Sequence, residues 1–209
     1  MDKIEKAPRG RPREFDTEHV LDVAMRLFWV QGYEATSMSD LVTATGLNRA
    51  SLYAAFGDKE ALFLTVLARY GERFTSRPIS AFSEFDDPFD AVLHFLRRTA
   101  EHLTDARLPR GCLFANAIAE GAGSSAAISR AVADGAARLE TSLYEAMHKG
   151  QSRGKLVRDA DVRALARFYA GVAQGMALMA KLSTDPTFIQ DIAATAMNAW
   201  PRTPHLHTV

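Results

Sequence analysis

Residues 37–60 have the sequence SMSDLVTATGLNRASLYAAFGDKE, which predicts two short helices separated by a tight turn. Ser37 is suited to cap the first helix, with Asp40 as its capping-box partner, and Gly46 is suited to end it. The second helix follows at once and is expected to end at Gly57. Two short helices joined by a glycine-containing turn have the dimensions of a helix-turn-helix.

The predicted motif, residues 37–56, has an apolar side and a polar side. Leu41 and Leu52 are placed to pack between the two helices, and Leu47 is placed to fill the angle at the turn. The polar side of the second helix consists of Asn48, Arg49, Ala50, Ser51 and Tyr53. Side chains of these types can hydrogen-bond base edges or phosphates, or approach a thymine methyl group closely. The residues alone also allow a helical hairpin whose polar side chains are only solvated.

Helical periodicity extends on both sides of this motif. Apolar residues recur at three- and four-residue steps through residues 16–31, with Asp16 or Thr17 as the cap and Gly32 as the end. Residues 59–74 are apolar around most of the helix circumference, which predicts a helix buried on both sides. Further helices are predicted at residues 87–105, 112–120, 126–151, 161–183 and 186–200.

The remaining segments contain turn signals but almost no strand signals. The stretches SRPIS at 76–80 and FDDPF at 85–89 are predicted to be breaker-rich connections. No alternating run of β-branched residues and no Asn-Gly hairpin turn occurs in the sequence. The predicted fold class is therefore all-α.

Composition limits the kind of protein this can be. A chain of 209 residues is long enough for one large domain, or for a small and a larger domain that share a core. Because its formal net charge is zero, any nucleic-acid function must depend on a localised basic patch. A lone cysteine, Cys112, excludes an intramolecular disulfide and fits a reducing cytosol. No apolar run approaches the roughly 20 residues of a membrane span, and no signal peptide is predicted. The expected location is the cytoplasm.

Over residues 24–63 the sequence resembles the N-terminal domain of TetR/AcrR-type transcriptional repressors. The residues that carry the resemblance are Ala24, Leu27, Phe28, Gly32, Tyr33, Thr36, Ser37, Ala44, Gly46, Leu47, Leu52, Tyr53, Phe56, Lys59, Glu60, Ala61 and Leu62. The resemblance implies a three-helix DNA-binding head with the helix-turn-helix, a fourth linking helix, and a helical body that binds a ligand and dimerises. It places the recognition helix on residues 48–54.

Residues expected to contact DNA follow from the polar face and from this resemblance. They are Thr36, Ser37, Asn48, Arg49, Ala50, Ser51, Tyr53 and Lys59. Lys59 would place its ammonium at a helix N-terminus, where phosphates bind favourably. The expected domains are a flexible basic arm at 1–13, a DNA-binding domain at 14–74, an effector-binding and dimerisation domain at 75–200, and a tail at 201–209.

The basic arm contrasts in charge with the segment that follows it. Residues 1–13 contain five cations and two anions, whereas residues 14–60 contain three cations and eight anions. Arg9, Arg11 and Arg13 alternate with glycine and proline, and this pattern resembles the core of an AT-hook, in which an extended backbone enters a narrow A·T-rich minor groove. We expect these three arginines to contact DNA; the alternative is a disordered solubilising tail.

The stretch RGCLFANAIAE, residues 110–120, resembles a Gly-Cys-Leu…Asn pattern found in a subset of TetR-like bodies. Some relatives use a cysteine to sense oxidants or electrophiles, which makes Cys112 a candidate sensor. The alternative is that Cys112 packs as a small hydrophobic residue. The matching asparagine is Asn116, one of the polar groups expected to face a ligand.

A pocket for a small hydrophobic or aromatic effector is the other function that the resemblance implies for the body. The candidate effector-binding residues are Phe89, His94, Cys112, Asn116, Phe168 and Met176. Phenylalanine and methionine at helical spacings are also the usual material of a core. His94 and His102 are eight positions apart and do not form a ligand pair, so no metal site and no cofactor are predicted.

The last two predicted helices are candidates for a dimer interface. Gly171 and Gly175 lie four positions apart among alanines, and residues 188–200 form a second apolar face. The resemblance implies a homodimer through these helices, so that two heads bind a pseudo-palindromic operator. The expected function is a DNA-binding transcriptional regulator, a repressor released by a small hydrophobic effector or by modification of Cys112. The alternative is an all-α carrier or enzyme without a DNA target, but no catalytic pair or phosphate loop is evident in the sequence.

Overall fold

The computed structural model describes residues 15–120, 125–183 and 185–201, except for the side chain of Arg77. The described residues form α1 Thr17–Gln31, α2 Met38–Thr45, α3 Arg49–Phe56, α4 Lys59–Tyr70, α5 Ser76–Ser80, α6 Pro88–Thr104, α7 Leu113–Ala119, α8 Ala126–Ser152, α9 Val162–Met179 and α10 Pro186–Asn198. Within these ranges there is no β-strand, which confirms the all-α prediction. We refer to α1–α4 as the head and to α5–α10 as the body.

Side-chain caps explain where most of these helices begin. The N-cap residue accepts a hydrogen bond from a backbone N–H in the first turn at Asp16, Ser37, Asn48, Asp58, Asp87, Ser125, Asp161 and Asp185. Each such cap stabilises its helix by about 1 kcal/mol. The predicted capping box of Ser37 and Asp40 is present. Cys112 precedes α7 without a side-chain cap.

The prediction that residues 76–80 form a connection is wrong. Ser76–Ser80 is helical, and a π turn at Gly71–Thr75 joins it to α4. The carbonyl of Gly71 accepts hydrogen bonds from the hydroxyls of Thr75 (2.7 Å) and Ser76 (3.0 Å). The proline in α5 lacks a backbone N–H, and the π turn just before it already changes the register of the hydrogen-bond ladder.

One face of the linking helix α4 is buried, and its Leu62, Phe63, Val66 and Leu67 are all 0–1% exposed. Thr65 and Ala68 on the opposite face are exposed, so the prediction of a helix buried on both sides is wrong. The helix nevertheless contacts α1 and α3 of the head as well as α7 and α8 of the body. The core of the head therefore continues into the body, because Leu113, Phe114, Ala117, Ile128 and Val132 belong to it. A second cluster of buried residues from α6, α8, α9 and α10 forms the core of the body.

Apolar residues remain exposed on the last two helices and the turn between them. Phe168, Leu178, Leu182 and Phe188 are between 36% and 77% exposed. A Cβ atom added at either glycine of α9 would meet nothing within 4 Å. The single chain therefore leaves an apolar surface with room for close approach. Among the described helices, none has both the length and the apolar character that a membrane crossing requires.

Candidate nucleic-acid interface and ligand cavity

Leu41 and Leu52 hold α2 and α3 together, and both side chains are completely buried. Gly46 has the left-handed conformation (φ 69°, ψ 5°), and its N–H donates to the carbonyl of Val42 at 3.0 Å. An L side chain rarely adopts this conformation, which is why glycine suits the turn. Leu47 is half-buried against the head core, as expected for a residue at the angle between helices.

The outer face of α3 carries the predicted recognition residues. Asn48, Arg49 and Ala50 are exposed, Ser51 is half-buried and Tyr53 is 42% exposed. The guanidinium carbon of Arg49 lies 5.9 Å from the centre of the Tyr53 ring, and no ion pair occupies Arg49 among the described residues. Asn48 Oδ1 accepts the Ser51 N–H at 2.8 Å. The Asn48 amide nitrogen is the part of this side chain that is left to donate to DNA.

The other predicted DNA-contacting residues, Thr36, Ser37 and Lys59, make hydrogen bonds within the head. Thr36 is completely buried, and its hydroxyl donates to the carbonyl of Gly32 at 2.6 Å. The prediction that this side chain contacts DNA is therefore wrong. Ser37 is exposed, but its hydroxyl donates to the Asp40 carboxylate at 2.7 Å. The Lys59 ammonium donates to the carbonyl of Tyr33 at 3.0 Å and lies 4.2 Å from the centre of its ring, so it is already engaged within the head.

The acidic residues of α1 are paired with arginines from the end of α4 and the π turn. Arg69 forms ion pairs with Glu18 and with Asp22, the latter at 2.8 Å, and Arg73 contacts Asp22 at 3.0 Å. These ion pairs neutralise part of the negative charge of the head. The arginines of the basic arm, Arg9, Arg11 and Arg13, lie outside the described residues, and their contact with DNA stays a prediction.

A cavity of about 110 Å³ lies between the end of α4 and the body. Its lining is mostly apolar and includes Phe74, Ile79, Phe95, Leu103, Phe114, Val132, Leu139, Ala173 and Ala177. The polar residues of its lining are Tyr70, Thr75, Arg98, Thr99, His102, Cys112, Arg138 and Gln174. A wider cleft of about 910 Å³ lies beside it between α4–α5 and α8 and shares some lining residues with it. An apolar cavity with a few polar groups is typical of a small-molecule site.

Two of the polar groups in the cavity contact each other. The Tyr70 hydroxyl lies 3.4 Å from Nε2 of His102. Burial, together with the neighbouring Cys112, raises the pKa of the Tyr70 phenol well above its ordinary value. Burial lowers the pKa of His102, although Asp105 acts in the opposite direction. Both side chains are therefore uncharged near neutral pH.

The structure places most of the predicted effector-binding residues outside the cavity. Cys112 lines the cavity. Phe89 packs on Trp200 and His94 on Phe85, away from the cavity, and Met176 is fully buried in the body core. Phe168 is 44% exposed on α9.

Asn116 is also buried, but it lies outside the cavity. Its amide donates to the carbonyl of Trp29, and its Oδ1 has no partner among the described residues. Sequence reasoning did not include Tyr70 and Gln174 in the site. Gln174 is a polar residue in the otherwise apolar stretch AGVAQGMALMA, and that signal could have identified it.

Trp29, near the end of α1, joins the head to the cavity wall. Its indole N–H donates to the carbonyl of Gly111 at 3.2 Å, and its own carbonyl accepts from the Asn116 amide at 3.2 Å. Its ring packs edge-on against Tyr70 (4.9 Å between centres) and stacks on His102 (5.8 Å). The two polar rings of the cavity therefore also contact α1.

Glu120 makes a second connection between α7 and the head. Its carboxylate accepts the backbone N–H of Tyr33 at 2.8 Å and that of Glu34 at 3.4 Å. These N–H groups belong to the turn between α1 and α2. Because Asn116 lies within α7 and Glu120 directly follows it, this short helix is tied twice to the C-terminal end of α1.

Two family profiles match the chain. The one described as "Bacterial regulatory proteins, tetR family" matches residues 20–66, and "Tetracyclin repressor-like, C-terminal domain" matches residues 88–196. The HTH-type transcriptional repressor ComR of Escherichia coli (strain K12) is 36% identical over 197 residues, 94% of each chain. The HTH-type transcriptional regulator YezE of Bacillus subtilis (strain 168) is 28% identical over 183 residues, 87% of this chain and 94% of its own.

A solved structure is similar over nearly the whole chain. The TetR family transcriptional regulator CifR, a cysteine mutant complexed with 26-bp double-strand operator DNA, matches with a TM-score of 0.86 and 34% identity. The match covers 92% of this chain and 100% of CifR.

A helix-turn-helix with an exposed polar face, packed on a helical body with an internal cavity, defines a DNA-binding transcriptional regulator. The chain belongs to the TetR family. Members of this family bind operator DNA, act as dimers and are not enzymes. The alternative of a carrier or enzyme without a DNA target is therefore set aside.

Replacing Glu120 by alanine tests the connection between α7 and the head. We expect Glu120→Ala to lower the free energy of unfolding by about 1 kcal/mol, because two backbone donors lose a charged acceptor. Amide hydrogen exchange should become faster at Tyr33 and Glu34. Glu145→Ala, an exposed glutamate on α8, is the matched control and should change neither quantity. Unchanged exchange at both amides in Glu120→Ala would contradict the connection.

Proposed function

We propose that the protein is a repressor whose affinity for its operator falls when a small molecule occupies the cavity or when Cys112 is modified. The observation that carries this proposal is the position of Trp29. Tyr70 and His102 line the cavity and at the same time pack on this tryptophan of α1. A change in the cavity therefore acts on the head through direct contact. As a regulator of chromosomal genes, the protein would act in the cytoplasm.

The proposed DNA binding rests on the exposed residues of α3 and on a dimer that carries two heads. Arg49 and Tyr53 are exposed on the outer face of α3, where they are free to enter a major groove. The exposed apolar residues of α9 and α10, such as Phe168 and Phe188, support a dimer through these helices. A two-fold symmetric pair of heads then fits half-sites about 34–36 Å apart, or a multiple of that distance.

The link between the two sites runs through α7 and the end of α1. A ligand that displaces Tyr70 or His102 also displaces Trp29, since the centres of these rings lie 4.9 and 5.8 Å from that of the Trp29 ring. Asn116 holds the carbonyl of Trp29, and Glu120 holds the next turn. A shift of α1 rotates the helix-turn-helix packed on it and changes the separation of the two heads. A coupling of about 1–3 kcal/mol changes operator affinity roughly 5- to 150-fold.

Modification of Cys112 is a second way to disturb the contacts between α7 and the end of α1. It lines the cavity, directly precedes α7, and is close enough to Tyr70 to affect the pKa of that phenol. A group attached to its sulfur would add volume beside Tyr70, at the helix that holds α1. Modification of this cysteine would therefore have the same consequence as a bound effector.

Removing the outward side chains of α3 tests the interface with DNA. We expect Arg49→Ala and Tyr53→Ala each to weaken operator binding by about 1–3 kcal/mol, while the melting temperature is unchanged because both side chains are exposed. The operator is first obtained by selection from random DNA, and affinities are measured by fluorescence anisotropy. Arg130→Ala removes an exposed cation from α8 and serves as the control. Equal affinity for the Arg49, Tyr53 and control variants would refute the interface.

The basic arm is tested by the salt dependence of operator binding. Exchange of Arg9, Arg11 and Arg13 for glutamine should reduce the slope of log affinity against log salt by roughly one for each phosphate that the arm no longer neutralises. Exchange of Lys3 and Lys6 for glutamine removes charge from the same arm and is the matched control. An arginine-specific minor-groove contact predicts a larger decrease in affinity per charge in the arginine variant. An unchanged slope in both would remove the arm from the mechanism.

Alkylation with iodoacetamide tests coupling from the cavity, since Cys112 is the single cysteine of the chain. Its thiolate displaces iodide, a sulfur–carbon bond forms, and the thiol proton passes to the buffer. We expect the alkylated protein to bind the operator at least about five-fold more weakly. Trp29→Phe, which lacks the donor to Gly111, should show a smaller effect of alkylation.

Cys112→Ser treated in the same way is the control for that experiment and should keep its operator affinity. Mass spectrometry verifies complete labelling, and circular dichroism verifies that the labelled protein is folded. A fully alkylated, folded protein with undiminished affinity would show that Cys112 is not a trigger.

A further inference from the structure

We propose that the effector is a small carboxylate with an apolar body, and that Arg138 is the residue that selects it. This inference rests on the proposed function of the cavity as the effector site. It adds the chemical class of the ligand and a residue that determines specificity.

The residues that line the cavity carry positive charge and no negative charge. Arg98 and Arg138 belong to the described lining, which contains no aspartate and no glutamate. Tyr70 and His102 add no charge near neutral pH, because burial raises the pKa of the phenol and lowers the pKa of the imidazole. The lining therefore attracts an anionic group and repels a cationic one.

Arg138 is the arginine that is available to bind an anion. It forms no ion pair and no ring contact within the described parts of the chain, whereas Arg98 already pairs with Glu101 at 2.6 Å. Arg138 also lines the wider cleft, so it lies where the two spaces meet. A guanidinium group can bind a carboxylate through two parallel hydrogen bonds, which orient the ligand as well as attract it.

The acidic residues of this region lie on the side of the cleft. Glu72 and Asp134 line the cleft but not the cavity. Asp134 is one helical turn from Arg138 on α8, yet the two side chains form no ion pair. A carboxylate far out in the cleft would be repelled by both acids. Its favourable position is therefore the boundary beside Arg138, with the apolar part of the ligand inside the cavity.

The rest of the lining determines the size and character of that apolar part. Phe95, Leu103, Phe114 and Leu139 are among the aromatic and aliphatic residues that surround the cavity. An engineered protein cavity of about 150 Å³ binds benzene, so the cavity of about 110 Å³ has room for one small ring or a short aliphatic chain. Because the carboxylate stays at the boundary, it keeps part of its hydration, which limits the cost of transferring the charge from water.

Three probes of nearly the same shape separate the effect of charge from that of size. Benzoate is an anion, benzamide is uncharged and benzamidinium is a cation. Binding to the full-length protein is followed by calorimetry and by the shift in melting temperature, and release is followed with operator DNA. We expect benzoate to bind at least about ten-fold more tightly than benzamide and to release the operator at lower concentration, because only benzoate forms a charge-assisted pair with Arg138. Benzamidinium should not bind. Acetate, which lacks the ring, should bind much more weakly than benzoate.

Variants of the two arginines assign the preference to Arg138. Arg138→Gln removes the charge at similar length, and the protein is expected to stay folded because this side chain is exposed. In this variant benzoate and benzamide should bind with nearly equal affinity, whereas Arg138→Lys should retain part of the preference. Arg130→Gln removes an exposed arginine from the same helix and is the matched control. This control and Arg98→Gln should both keep the preference for benzoate.

The outcomes distinguish this inference from the proposed function. Equal binding of benzoate and benzamide to the natural chain, together with operator release by both, would refute the ligand class and leave the cavity as the effector site. Acetate binding as tight as that of benzoate would also refute the ligand class, since the apolar body would then be unnecessary. A preference for benzoate that persists in Arg138→Gln would refute the role of Arg138. If no probe binds while alkylation of Cys112 still releases the operator, the ligand class fails and the coupling stands. If no probe binds and alkylation has no effect, both proposals fail.

Discussion

The contact of Trp29 with the body is the interaction on which the relation between the two halves of the molecule depends. Its ring lies against Tyr70 and His102, its N–H bonds to Gly111 and its carbonyl bonds to Asn116. All of these groups are buried or largely buried, so the tryptophan cannot move without breaking hydrogen bonds that water does not replace. A single side chain of the first helix thereby belongs to the head core and packs on two residues that line the cavity.

The distribution of charge in the head follows from the same packing. Arg69 at the end of α4 and Arg73 in the π turn form ion pairs with Glu18 and Asp22 of α1. The α3 face keeps Arg49 without an ion pair among the described residues and contains no acidic residue. A protein without net charge can in this way present a polar, locally cationic surface to a polyanion.

The cavity shows why an apolar helical sequence does not reveal its own binding site. Met176 and Gln174 are two positions apart on α9, yet the first is buried in the body core and the second lines the cavity. Tyr70 belongs to the linking helix and would be assigned to the head from its place in the sequence. It becomes a cavity residue because the end of α4 meets both α1 and α7, where the Tyr70 ring packs on Trp29 and on Phe114.

The amino-acid sequence by itself determined the fold class, the helix-turn-helix, most helix bounds and the exposed face of α3, because caps, glycine turns and helical periodicity act within a few residues. It indicated a connection at residues 76–80, where the structure has a π turn followed by a short helix that contains the proline. Only the tertiary structure decided that Thr36 is buried, that Lys59 is engaged by Tyr33, and which residues line the cavity. These features depend on residues that are distant in the chain, 26 positions apart for Lys59 and Tyr33, and on which helix covers which face.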